Sequence, residues 1–404
     1  MRILAWVTAF EAFCLLGVPA TLPTSVRAAD ASAAAQGWKL PEFMISYWGG
    51  PKDDATAEAV VQAGFNTVMC KPDKLDLCRR HGLKTLLTDT TADLAAKLRQ
   101  DAAVWGYYLQ DEPSNERLPA LGKSVAAYRQ ADPNHPAYIN LGWQACPRTF
   151  ADVIRPQVLS YDEYWWWWKG DYFPMMEEYR SIAQGAGIPL ICWVEVNTGP
   201  DSEVGPAKIH PANNLARLRH SVYCPLAYGV RGIQWFVDRL VFDGTQLTPS
   251  GKDVAVVNAE LKRLGPILMG LRSLDVYHVA KADVPKSTRP LPHHYWLQTA
   301  TNETILGTFK DAQGGDFLML VNRNVDKEQT AVVRFGRPVA AAEKFDKQKG
   351  GWVNLAVVNA EQFDKREEWA KLIALRRRGR QAVELTLSPG DGELLRIVHN
   401  DPVQ

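Results

Sequence analysis

The chain has 404 residues, 46% of them hydrophobic and 23% charged, with a formal net charge of +1. Such a balance describes an ordinary globular protein of one large or two medium domains. It excludes a nucleic-acid partner, because the one basic run, residues 376–380, has no basic face beside it and reads as a solvated helix end.

Residues 1–28 read as a secretory signal: Arg2, an apolar stretch over 3–22, then Val26-Arg27-Ala28 as a small-residue cleavage site. Glu11 inside that stretch argues against a membrane anchor, since a charge in a bilayer core is costly. No later stretch offers about 18 continuous apolar residues, so a secreted or periplasmic mature chain without a membrane span is expected. Cleavage would remove Cys14 and leave Cys70, Cys78, Cys146, Cys192 and Cys224. Cys70 and Cys78 flank a short Pro-containing segment and form the best candidate for a local disulfide; five buried thiols is the alternative.

Four segments then share one grammar, in which a helix closes on Gly64, Gly82, Gly187 or Gly229 and a short apolar strand follows at once. Strands are predicted at 43–48, 65–70, 83–88, 104–110, 137–141, 158–161, 190–194 and 232–236. Amphipathic helices are predicted at 56–63, 74–81, 93–101, 116–131, 174–184, 212–228 and 251–271, with a short one after Trp143. Strands greasy on both sides, alternating with helices eight times, predict an α/β fold, a closed (β/α)8 TIM barrel over residues 38–272.

Beyond Leu274 helices nearly vanish. Short strands at 295–297, 304–309, 317–321, 330–335, 384–387 and 393–397, bounded by Gly, Asn, Asp or Pro, predict a C-terminal antiparallel β-sandwich over 275–404. A charged helical insertion is expected at 361–378.

A barrel places its site at the C-terminal rim, so the strand ends are the candidates. They are Trp48, Lys71, Asp89, Asp111 with Glu112, Asn140, Asp162 with Glu163, Glu195 with Asn197, and Trp235 with Asp238. Carboxylates can transfer protons and steady an oxocarbenium ion, aromatic faces can meet the apolar face of a sugar, and amides can meet its hydroxyls. The run Tyr164-Trp165-Trp166-Trp167-Trp168 cannot face one core from a strand or a helix, so Trp165 and Trp166 are candidates for a stacking platform. No Cys/His metal spacing, HExxH, GxGxxG or P-loop follows any strand; neither metal nor other cofactor is expected, and His293 and His294 read as structural.

At these residues the chain resembles clan A of the glycoside hydrolases. The fourth strand ends Gln110-Asp111-Glu112-Pro113, and the seventh runs Ile191-Cys192-Trp193-Val194-Glu195. The resemblance implies a retaining hydrolase of a glycoside or of an oligo- or polysaccharide, with Glu112 as acid/base and Glu195 as nucleophile. It further implies Tyr161 as a donor to the nucleophile and Trp235 as the floor of the sugar site. One departure is Asp111, where the clan has Asn: an ionised Asp accepts but does not donate, and its charge should push the pKa of Glu112 upward. The alternative is a carbohydrate-binding protein on a barrel without turnover.

Overall fold

The computed structural model describes residues 38–162, 164, 172–196, 214–236, 240–279, 291–292, 295–300, 303–363 and 381–400. The predicted leader at 1–28, Glu163, Trp165, Trp166, Asn197, Asp238, His293, His294 and most of the predicted 361–378 insertion lie outside the described residues.

Eight parallel strands form the first unit: β1 Met44–Tyr47, β2 Thr67–Cys70, β3 Lys84–Leu87, β4 Val104–Asp111, β5 Ala137–Leu141, β6 Leu159–Asp162, β7 Leu190–Glu195 and β8 Gly232–Phe236. Helices α1 Asp54–Gln62, α2 Leu75–Arg80, α3 Ala92–Leu98, α4 Leu118–Ala131, α5 Pro147–Ile154, α6 Tyr172–Ala186, α7 Leu215–Ala227 and α8 Pro249–Met269 alternate with them. The predicted (β/α)8 barrel is therefore present. Helix starts follow their side chains: Asp53 and Thr56 cap α1 reciprocally, while Thr91, Asn214 and Thr248 each accept an amide of the first turn of α3, α7 and α8.

The strands pair in the order β1-β8-β7-β6-β5-β4-β3-β2. Between β1 and β2 the ladder is replaced by Asn66. Its side chain accepts from the Ile45 amide at 2.8 Å and donates to the Phe43 carbonyl at 2.9 Å, and its own amide donates to Ile45 at 3.0 Å. With the Met69 amide donating to the Gly49 carbonyl at 2.9 Å, these bonds close the ring.

Side chains alternate along each strand. Met44, Met69, Leu86, Trp105, Tyr138, Ile191 and Trp193 pack inside the barrel. Ile45, Val68, Leu87, Ile139, Leu159, Cys192 and Ile233 pack outward in the larger core that includes the helices.

A short ribbon, β9 Phe242–Asp243 with β10 Gln246–Leu247, precedes α8, and among the described residues the C-terminal unit has ten strands: β11 Arg272–Val279, β12 Leu297–Thr299, β13 Thr304–Lys310, β14 Asp316–Asn322, β15 Gln329–Phe335, β16 Val339–Phe345, β17 Trp352–Leu355, β18 Val358–Asn359, β19 Gln381–Leu387 and β20 Gly392–His399. They make an antiparallel six-stranded sheet, β11-β13-β14-β20-β16-β17, and a four-stranded one, β12-β15-β19-β18. Leu306, Leu318, Leu320, Val333, Leu385 and Leu395 fill the space between the sheets. The alternate residues Ile305, Phe309, Phe317, Met319 and Val321 join the core of the barrel instead. The six-stranded sheet is thus buried on both faces, with α7 against its second face. A Cβ at Gly307 would stand 2.2 Å from the Ala227 carbonyl oxygen, so only glycine permits that approach.

Candidate active site

Period-two alternation decides which rim residues face the barrel axis. On β7 Trp193 is inside, so Glu195 two residues on points inward as well, and Val194 points out. Glu195 is fully buried. Ser160 and Asp162 on β6 and Tyr138 and Asn140 on β5 take inward positions by the same rule. On β4 a register shift between Tyr108 and Gln110 re-aims the strand end, so that the Tyr108 hydroxyl donates to Asp111 Oδ1 at 2.8 Å.

Glu112 follows with φ 37°, in the left-handed region, which a non-glycine residue adopts at a cost of order 1–3 kcal/mol. The strained backbone is held by the Glu112 amide donating to the Asn140 carbonyl at 3.0 Å, and its Oε2 accepts from Gln144 Nε2 at 2.7 Å. Gly142 leaves the space for this carboxylate, since a Cβ there would meet Oε1 at 2.5 Å.

The Tyr164 hydroxyl donates to Asp162 Oδ2 at 3.4 Å. Burial raises the Tyr164 pKa most, and then Asp162, Asp111, Glu195 and Glu112 each raise it further. The Tyr164 ring stacks on Phe236 with centroids 5.5 Å apart. Trp48 meets Trp193 at 5.3 Å, Tyr108 at 5.9 Å and Phe236 at 5.9 Å. These rings form an aromatic collar that meets the acids at Asp111, through the Tyr108 hydroxyl.

Asp111 itself titrates above the ordinary carboxylate value. Burial is the main cause; the hydrogen bonds from Tyr108 and Asn140 oppose it, and the charge of Glu112 adds to it.

Beneath Asp111 a polar chain crosses the barrel interior. Trp193 Nε1 donates to the Tyr138 hydroxyl at 3.0 Å, Tyr138 and Ser160 are 2.5 Å apart, Ser160 donates to Asn140 Oδ1 at 3.0 Å, and Asn140 Nδ2 donates to Asp111 Oδ1 at 3.2 Å. Tyr138 also contacts the amide oxygen of Gln234. One phenol hydrogen cannot serve both Ser160 and Gln234. Turning the Gln234 amide by a half-rotation lets Nε2 donate to Tyr138 and frees the phenol hydrogen for Ser160. Every bond in the chain then points toward Asp111.

An open cleft of about 880 Å³ lies against this rim, lined by Trp48, Asp89, Tyr108 and Asp111 and by residues at the start of α4. Among its described lining residues are neither Glu112 nor Glu195. Lys71 and Asp89 pair at 2.8 Å, both largely exposed, so these two candidates meet each other at the mouth.

Two candidates are not in the site. Tyr161 points away from the axis and stacks on Tyr179 of α6 at 4.2 Å, while Trp235 points outward on β8 and donates to Asn258 Oδ1 of α8 at 2.8 Å. Both end strands, but each sits one residue from the inward position, which Ser160 and Asp162, or Gln234 and Phe236, occupy. Tyr108, Tyr138, Ser160, Trp193 and Gln234 lie one or two turns of the pleat below the strand ends and so outside the predicted rim; counting back by twos from Asn140, Asp162 and Glu195 reaches three of them.

No family model and no curated protein matches the chain. Solved structures do. A GH51 arabinofuranosidase from Xanthomonas axonopodis pv. citri aligns at 11% identity and TM-score 0.43, over 87% of this chain and 92% of its own. A GH29 alpha-L-fucosidase from Bacteroides thetaiotaomicron aligns at 9% identity and TM-score 0.47, over 88% and 84%. A beta-galactosidase from the psychrophilic Marinomonas ef1 aligns at 12% identity and TM-score 0.45, over 57% of this chain; the chain spans 62% of that enzyme's length.

Proposed function

We propose that the protein is an exported glycoside hydrolase acting at the C-terminal rim of the barrel. The observation that carries this reading is the set of carboxylates at one rim, Asp111 and Glu112 ending β4 with Asp162 and Glu195 facing inward from β6 and β7, beside a collar of Trp48, Trp193, Tyr108 and Phe236. Acids in a weakly hydrated, aromatic surround are what cleavage through an oxocarbenium-like transition state requires. The leader-like residues 1–28 support export to the periplasm or the exterior.

In the first reading Glu112 gives its proton to the glycosidic oxygen as the carbon–oxygen bond breaks, and Glu195 bonds to the anomeric carbon. Water, deprotonated by Glu112, then displaces Glu195, so configuration is retained. This predicts carboxyls about 5–5.5 Å apart when substrate is bound.

A second reading is favoured by the full burial of Glu195 and by the place of Asp111 in the cleft. Here a carbonyl oxygen carried by the sugar, as on a 2-acylamino group, attacks the anomeric carbon while Glu112 protonates the leaving group. Asp111, held by Tyr108 and Asn140, steadies the cyclic cation until water opens it.

Turnover of paired aryl glycosides bearing a 2-hydroxyl or a 2-acetamido group tests both. Glu112→Gln should cost about 10²–10⁴ in kcat on either. Covalent trapping of Glu195 by a 2-fluoro sugar supports the first reading. Activity confined to the 2-acetamido glycoside, surviving Glu195→Gln and lost in Asp111→Asn, supports the second. No turnover of any panel member by the wild type, with sugars still bound, would leave only a binding protein.

A further inference from the structure

The cleft does not end at Asp111. It runs from Trp48 and Asp111 across the turn after β3 and onto the start of α4, and its volume of about 880 Å³ is near the top of the range of about 300–1,000 Å³ typical of small-molecule sites. Its far half is made by Thr90, Thr91, Arg117, Leu121 and Ser124. Hydroxyls beside an apolar patch match a sugar ring, which offers hydroxyls at its edge and C–H groups on its face.

This half is also fixed in place. Asp89 adopts φ 52°, turning the chain sharply after β3; Thr90 Oγ1 is 3.0 Å from the Tyr128 hydroxyl of α4; and Thr91 Oγ1 accepts the Leu94 amide to cap α3. Arg117 is exposed, and no carboxylate of the described residues pairs with it, so its guanidinium is available as a forked donor at the far end.

We propose that this groove is a second sugar subsite, and that the substrate is an oligosaccharide rather than a simple glycoside. One unit sits at Trp48 and Asp111, and the adjoining units lie over Thr90 and Thr91 toward Arg117. The ligand class rests on the hydrolase reading above; the groove itself does not.

The test uses the full chain and reads binding separately from turnover. A glycan microarray selects a series, and calorimetry follows its members of one to four units on the wild type, Ser124→Trp and Arg117→Ala. Ser124 lies on the exposed face of α4, where an indole fills the groove without entering the fold. The expected result is affinity rising about tenfold or more between one and three units, a gain that Ser124→Trp removes and Arg117→Ala reduces, with aryl monoglycoside kinetics unchanged. Affinity flat with length, a gain that survives Ser124→Trp, or an array that retains only monosaccharides overturns the subsite. Length-dependent binding without cleavage sinks the hydrolase reading and leaves the subsite standing; cleavage of monoglycosides with flat length dependence does the reverse.

Discussion

The Tyr108 hydroxyl donates to Asp111 Oδ1 at 2.8 Å, and this bond joins the aromatic collar to the acidic rim. It favours the ionised carboxylate, whereas burial disfavours it and prevails. Tyr108→Phe should therefore push the pKa of Asp111 higher still, moving the limb of the pH–rate profile that reports it toward higher pH. It should lower kcat/KM by about tenfold, the size of one charge-assisted hydrogen bond. A profile superimposable on the wild type would exclude Asp111 from the reaction.

Asp111 also predicts a stability signature. Its folded pKa is raised, so its favourable contribution is complete below the unfolded value of 3.8 and is lost as pH rises through the folded value. At neutral pH the ionised group is a liability. Asp111→Asn, whose amide oxygen still accepts from Tyr108, should raise the melting midpoint at pH 7 and leave it nearly unchanged at pH 3, while activity falls. Scanning calorimetry at the two pH values checks the sign.

Trp48 and Trp235 separate site from scaffold. Trp48→Ala should raise KM, because Trp48 lines the cleft. Trp235→Phe should leave KM unchanged and cost about 1–3 kcal/mol of stability, since Asn258 Oδ1 loses a buried donor. Equal effects on KM would place Trp235 back in the site.

Acid should loosen the seam between barrel and sheets. His220 and His278 are held down to about 3, first by burial and then by Arg323. Depressed histidines contribute stability that is present above the ordinary value of 6.5 and lost progressively as pH falls toward 3. Each contributes a slope of about 1.4 kcal/mol per pH unit in that window. Replacing His278 with Gln should flatten the fall in denaturant midpoint between pH 6 and pH 4.

Cys70 and Cys78 stand with sulfurs 3.8 Å apart, both buried. Treatment with oxidised glutathione should convert the two thiols to one disulfide, releasing two reduced glutathiones, and should raise stability by about 2–3 kcal/mol for so short a loop. Thiol titration and a cross-linked 70–78 peptide read the outcome; two thiols persisting after complete exchange elsewhere would refute it.

The barrel was legible because its grammar is local. Each strand is a short apolar run announced by a glycine, and a glycine such as Gly229, at φ 85°, can turn the chain where other residues resist. The facing of the rim residues was less legible, since a list of strand ends treats Tyr161 and Asp162 alike although one looks at a helix and the other at the axis. Other misses have equally physical causes. β11 follows α8 after two residues, and its start, Arg272-Ser273-Leu274-Asp275, lacks the apolar run that marks the other strands. β16 carries Ala340, Ala341 and Ala342, residues with little strand character, and is held in the sheet by β20 and β17. The shift on β4 that brings Asp111 under Tyr108 leaves no mark in the hydrophobic pattern.

The glycine-wide gap at Gly307, with β13 pressed onto the end of α7, makes the rear sheets a fixed backplate rather than a tethered accessory. A barrel truncated after α8 would bare the oily flank of α7 and precipitate or fail to mature. The protein should melt as one cooperative body, and no protease cut between its halves should yield a soluble, working fragment.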